Sequence, residues 1–236
     1  VKRGIAVLAL LASCGSAAFA EETPAQDTLT ALAAKYETDK GLGTHGFTEF
    51  YELFFRPIKD TARHVCEIGV LEGASMKMWN DYFPNATVYG LDIEDTTRFE
   101  TARVKTFVAD QGKRRELGRF TAKYPVAFDF VLDDGGHRMN QQQVSLAYFF
   151  PKIKSGGYYV LEDVHCSLPR HRPGYGADED EGNTSLTMIE RFQRTGKIES
   201  PYMTPQEAEY LTAQIESCTL HSRNGGESIT CVFKKK

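Results

Sequence analysis

Five short apolar runs threaded among segments of helical spacing constrain this chain more than any other feature. Runs at 64–70, 87–93, 104–109, 128–132 and 157–161 read as strands, and 74–82, 113–123, 141–150, 186–194 and 205–211 carry helical periodicity. Strands interleaved with helices predict βαβ units and therefore an α/β fold with a mostly parallel, doubly wound sheet. Upstream, 28–36 and 47–56 also have helical spacing, so 21–62 reads as an N-terminal helical extension and 63–236 as the sheet domain. A length of 236 residues suits one such domain. Hydrophobic residues at 41% and charged residues at 25% exclude a disordered chain. A net charge of −4, with no basic run longer than the closing Lys234-Lys235-Lys236, speaks against a partner that is nucleic acid.

The C-terminal end departs from the alternation. Segments 214–222 and 228–234 alternate in polarity and are joined by Asn224-Gly225-Gly226, a hairpin signal. With Asn224-Gly225 as a two-residue loop, Cys218 falls opposite Cys231 at a non-hydrogen-bonded pair, where side chains come closest. A disulfide and two half-buried thiols both fit that placement, and a Gly225-Gly226 turn would break the register. Cys66, inside an apolar run, reads as a small buried hydrophobe.

The N-terminal end reads as a processing signal. Lys2-Arg3, the apolar run 4–13 and Ala18-Phe19-Ala20 are the three parts of a secretory leader. About ten apolar residues are too few to span a bilayer, so no membrane span is expected. Leu11-Ala12-Ser13-Cys14 overlaps this run and resembles a bacterial lipobox, and an inert leader is the third reading. The leader points to export, as a periplasmic, secreted or lipid-anchored protein.

In open α/β sheets, ligands bind beyond the carboxyl ends of the strands, so the residues ending each strand are the candidates for chemistry. The first strand ends in Glu67-Ile68-Gly69-Val70-Leu71-Glu72-Gly73, whose glycines allow a tight turn and close approach of a ligand to backbone. Leu71 stands where a dinucleotide fingerprint needs its second glycine, which disfavours an NAD(P)-dependent oxidoreductase. Asp92 ends the second strand, placed to accept hydrogen bonds from ribose hydroxyls. Asp110-Gln111 follow the third, placed for an adenine or its neighbours. The fourth strand ends in Asp133-Asp134-Gly135-Gly136-His137 and the fifth in Glu162-Asp163, with His165 just beyond. Carboxylates from adjacent strand ends can converge on a hard divalent cation, and a histidine beside them can serve as a general base. Packed turns with capped amides use the same residue types, so that structural reading stays open for each. His45, His64, His171 and His221 lack such a setting and read as structural or solvated. The acidic run Asp178-Glu179-Asp180-Glu181 lies in a loop, 167–183, that suits a lid or a plain solvated connection.

The segments Tyr36-Glu37-Thr38-Asp39-Lys40-Gly41, Glu67-Ile68-Gly69-Val70, Tyr89-Gly90-Leu91-Asp92-Ile93, Asp133-Asp134-Gly135-Gly136-His137 and Gly156-Gly157-Tyr158-Tyr159-Val160-Leu161-Glu162-Asp163 carry a family resemblance. Across about 36–236 the chain resembles class I S-adenosylmethionine-dependent methyltransferases, in the branch of metal-dependent antibiotic-sugar O-methyltransferases. The resemblance implies a Rossmann-like seven-stranded sheet whose last strand is antiparallel. It also implies S-adenosyl-L-methionine as cofactor, with Glu67 and Gly69 near its methionine part and Asp92 at its ribose. Gly73, Asp110 and Gln111 complete the expected cofactor set. It further implies Mg2+ on Asp134 and Asp163, with the third ligand open between Glu162 and Asp133, and His137 as the base. The expected partner is a small-molecule hydroxyl acceptor, and the resemblance is compatible with a homo-oligomer. That cofactor is made and kept inside cells, whereas the leader points outward. The second reading is therefore an exported, non-catalytic ligand- or metal-binding protein on the same fold.

Overall fold

The computed structural model describes residues 28–175 and 182–236. The leader, with Cys14, and the acidic run 178–181 lie outside the described residues. Two helices come first, α1 (Leu29–Tyr36) and α2 (Thr48–Phe55). Then follow β1 (His64–Ile68), α3 (Ala74–Tyr82), β2 (Thr87–Asp92), β3 (Val104–Val108), α4 (Arg114–Lys123), β4 (Phe128–Asp133), α5 (Met139–Phe149) and β5 (Ile153–Leu161). The chain closes with α6 (Ser185–Thr195), α7 (Pro205–Gln214), β6 (Ile215–Arg223) and β7 (Ser228–Lys235). The seven strands lie in the order β3-β2-β1-β4-β5-β7-β6. β1 to β5 are parallel, while β7 runs antiparallel to both β5 and β6. Strand order reverses between β1 and β4, which sets the crevice for a ligand at their carboxyl ends.

The side-chain period of two along each strand separates two cores. Val65, Phe130, Leu132, Val160 and Val232 pack on one face against α1, α2 and α3, around Tyr51, Phe55 and Trp79. Cys66, Phe128, Val131, Tyr159, Leu161 and Phe233 pack on the other against α4 to α7, around Phe120, Phe149 and Leu211. The N-terminal helices thus cover one face of the sheet. β5 begins four residues earlier than the sequence pattern predicts. Its pairing with β4 shifts register near Phe128, and Gly156 there has φ +77°, so a bulge interrupts the apolar alternation.

The hairpin differs from the expected register. Arg223 pairs with Ser228, and Gly225 and Gly226 are both left-handed, at φ +66° and +91°, so a four-residue loop replaces the two-residue one. Cys218 therefore lies opposite Phe233, and Cys231 opposite Leu220. The two cysteines are diagonal neighbours, still close enough for their sulfurs to sit 3.2 Å apart, and they are unbonded thiols.

Candidate functional site

A cleft of about 600 Å3 opens at the carboxyl ends of β1, β2, β3 and β4. That is within the ordinary range for a small-molecule site. Its wall includes 68–72, Asp92, Asp110, Gln111, 134–137 and Asp163, together with Glu37 to Lys40 from the loop after α1. Glu37, Leu71, His137 and Asp163 are the non-glycine residues with positive φ among the described residues, between +49° and +57°, and all four line this cleft. Backbone held in a sparsely populated region collects at ligand sites, where the surroundings over-determine it.

The glycine loop after β1 is fixed by Asp92. One carboxylate oxygen of Asp92 accepts from the backbone N–H groups of Val70 (2.7 Å) and Leu71 (3.1 Å), and the other from that of Glu94 (2.9 Å). Oδ2 spends both of its lone pairs on this clamp, whereas Oδ1 keeps one, which leaves the expected ribose role compatible with it. Gly69, at φ +91°, lets the loop lie against the Asp134 carbonyl; a β-carbon there would fall on that oxygen. Gly73 caps α3 with φ +72° and packs against the Phe99 ring, outside the cleft wall.

Glu67 also lies beneath the wall rather than on it. It is fully buried, and its Oε2 accepts from Ser75 Oγ (2.7 Å) and Trp79 Nε1 (3.1 Å). Burial pushes its carboxyl up to about 7, against the pull of the neighbouring Lys40 ammonium. On the third strand end, Asp110 is held below the ordinary carboxylate range: burial works to raise it, but Lys113 and the Gly112 N–H outweigh that. The Gln111 amide is committed internally, donating to Asp133 (2.8 Å) and accepting from the Gly136 N–H (2.8 Å). Gln111 thus shapes the third strand end of the cleft, where adenine is expected, through the turn it holds.

The strand period decides between the paired carboxylates. Asp133 points to the α5 face, where Ser145, Tyr159 and Gln111 donate to it. It is buried and its carboxyl is raised by that burial, so its candidacy as a metal ligand is corrected: it locks β4 to α5 and β5. Asp134 turns instead into the cleft. Asp134, His137 and Asp163 each offer a ligand atom, and these atoms lie within 4.8 Å of one another. His137 Nε2 is 3.4 Å from Asp163 Oδ2 and 4.0 Å from Asp134 Oδ1. Asp163 Oδ1 is buried without a hydrogen-bond partner. Two carboxylates, one with an orphaned oxygen, fit a hard divalent cation, which takes oxygen ligands in preference to imidazole.

Lys40 is the site residue that sequence reasoning passed over, although it sits inside a segment that carried the resemblance. Its ammonium is 1% exposed and touches Asp134, Glu162 (3.0 Å) and Glu67 (3.4 Å). Burial opposes its charge, yet the three carboxylates hold its pKa well above the ordinary lysine value. Glu162 is further held by the Tyr51 hydroxyl (2.8 Å), which also meets Thr230 (2.9 Å) on β7. Nothing in local sequence marks a lone lysine as the partner of carboxylates 94 and 122 positions away.

Two histidines read as having no special setting do have one. His45 and His171 flank buried His165, with ring centroids 6.0 and 5.2 Å from it, and His165 Nδ1 is 3.7 Å from Asp163 Oδ1. Burial lowers the pKa of His165, which favours its neutral imidazole. His64 and His221 lie elsewhere, against Tyr89 and Phe50.

The strand order, with β7 antiparallel to its neighbours, is the architecture of S-adenosylmethionine-dependent methyltransferases, the family to which this chain belongs. Sequence comparison gives the same direction. L-olivosyl-oleandolide 3-O-methyltransferase of Streptomyces antibioticus is 37% identical over 179 residues, covering 71% of this chain and 45% of that protein. Mycinamicin VI 2''-O-methyltransferase of Micromonospora griseorubida is 34% identical over 188 residues, covering 77% and 44%. Among solved structures, MycE methyltransferase from the mycinamycin biosynthetic pathway, in complex with Mg, SAH and mycinamycin VI, superposes with a TM-score of 0.73 at 30% identity. The superposition covers 88% of this chain and 54% of MycE. The chain thus spans about half the length of the relatives it matches. No protein-family model matches it.

Proposed function

We propose that this protein is an S-adenosylmethionine-dependent O-methyltransferase, assisted by a divalent metal, acting on a hydroxyl of a small, glycosylated molecule. The observation that carries this reading is the meeting of Asp134, His137 and Asp163 at the rim of a cleft walled by Asp92 and the 69–72 loop. Asp134 and Asp163 would hold Mg2+, which would supply a positive charge that lowers the pKa of the acceptor hydroxyl, and the cofactor's sulfonium would supply the activated methyl group. His137 accepts the hydroxyl proton at Nε2, and Asp163, 3.4 Å away, steadies the resulting imidazolium. Asp92 and the turn locked by Gln111 fix the cofactor's orientation, so positioning for in-line displacement carries much of the rate. The sugar acceptor is inferred from what the relatives are named for.

The test is transfer of labelled methyl from S-adenosylmethionine to a panel of deoxysugar-bearing macrolides and polyketides, with magnesium or with EDTA. Magnesium-dependent label in one acceptor supports the reading. Label that is indifferent to EDTA removes the metal from it.

A further inference from the structure

The loop after α1 brings one ammonium into a nest of carboxyls drawn from three strand ends. Glu67 comes from β1, Asp134 from the end of β4 and Glu162 from the end of β5; Asp163 follows within reach of Asp134 through His137. One buried ammonium is shared among three carboxyls, of which Asp134 faces the cleft, and Asp163 stands nearby with a buried oxygen that has no hydrogen-bond partner. That orphaned oxygen and the Asp134 carboxylate mark the place for a cation, beside the carboxylate that Lys40 holds. Lys40 also reaches the cleft wall, whereas Glu162 and Glu67 lie behind it.

Resting on the methyltransferase reading, we propose that Lys40 is a positioning residue that makes metal and cofactor binding depend on each other. A divalent cation on Asp134 and Asp163 draws the Asp134 charge away from the Lys40 ammonium. The ammonium is then short of one acceptor on its cleft side, and the α-carboxylate of the cofactor's amino-acid part supplies it. Each ligand thereby creates the better site for the other, and linkage requires the same factor in both directions.

The probe is S-adenosylhomocysteine, which keeps the α-carboxylate and lacks the sulfonium that would repel the metal. Calorimetric titration into the full chain, in EDTA and in saturating magnesium, gives the coupling. Affinity tightened about fivefold or more by magnesium is expected. Mn2+ binding followed by electron paramagnetic resonance, with and without S-adenosylhomocysteine, should show the same factor. Lys40→Met, matched in length and uncharged, should bring the ratio close to one while each ligand still binds; Lys40→Gln replaces it if that variant does not fold. Lysine labelled with 15N at Nζ in the wild-type protein adds a readout free of substitution: one ammonium resonance should move with magnesium and again with S-adenosylhomocysteine. A wild-type ratio of one, an unchanged ratio in the Lys40 variant, or no lysine resonance that answers to both ligands overturns the proposal. Absence of S-adenosylhomocysteine binding in every arm overturns the methyltransferase reading as well, and so separates the two failures.

Discussion

Asp133 and Asp134 are neighbours in the chain and face opposite sides of the sheet. Asp133 is enclosed by Ser145, Tyr159 and Gln111 on the α5 face, whereas Asp134 meets Lys40 and His137 in the cleft. One residue of strand period separates a carboxylate locked into the scaffold from one that faces the cleft.

The two aspartates therefore respond differently to the same substitution. Asp134→Asn should weaken the response to magnesium and the methyl transfer together, and should also lower the melting temperature because buried Lys40 loses a charged partner. Asp133→Asn should cost about 1–3 kcal/mol of stability, because an amide nitrogen would face hydrogen-bond donors. Magnesium titration of activity beside thermal melts of both variants checks this; a wild-type metal response in Asp134→Asn would misplace the metal.

His137 touches the reacting hydroxyl in this account but none of the expected cofactor contacts. His137→Ala should leave S-adenosylmethionine affinity nearly intact while turnover falls roughly 10²–10⁴-fold, the usual weight of a general base. Cofactor titration and single-turnover rates on one preparation separate the two quantities. Unchanged turnover would remove His137 from the chemistry.

Gly69 has no room for a side chain. Gly69→Ala should destabilise by more than the roughly 1–3 kcal/mol of a strained backbone, since the β-carbon must also displace the Asp134 carbonyl. The same shift should impair cofactor binding. Thermal denaturation and binding measured together test the link, and a variant as stable as wild type would show that the turn relaxes freely.

Asp129 provides a pH signature at the opposite end of the sheet from the cleft. Burial works to raise its carboxyl, but Lys154 (2.7 Å) and the backbone N–H groups of Arg63 (2.7 Å) and His64 (2.9 Å) hold it below the ordinary carboxylate range. The folded state thus binds this proton less readily than the unfolded state. Its contribution is present above the ordinary aspartate range and is lost as pH falls through the depressed folded value. Asp129→Asn should flatten that part of the acid limb, as read by denaturant unfolding across pH; an unchanged acid limb would contradict the assignment.

Much of this was legible in sequence where the signal is local. The apolar runs located all five parallel strands, and the residues ending them, Asp92, Asp110 and Asp134 to His137, do line one cleft. The misses are long-range or depend on register. Lys40 acquires its meaning only when three strand ends close around it, and His45 and His171 only when loops fold against His165. The hairpin shift turns on two successive left-handed glycines, which permit more than one loop length. Glu67 and Gln111 lie at the predicted strand ends yet spend their polar atoms on the scaffold, because burial at a strand end demands partners before a ligand arrives.

The central claim is that this cleft binds S-adenosylmethionine. Calorimetric titration of S-adenosylmethionine into the purified chain in the presence of magnesium tests it most directly. The account predicts one site of micromolar affinity that Asp92→Ala weakens. No heat of binding from a protein shown to be folded would contradict it, and would leave a methyltransferase architecture without its cofactor.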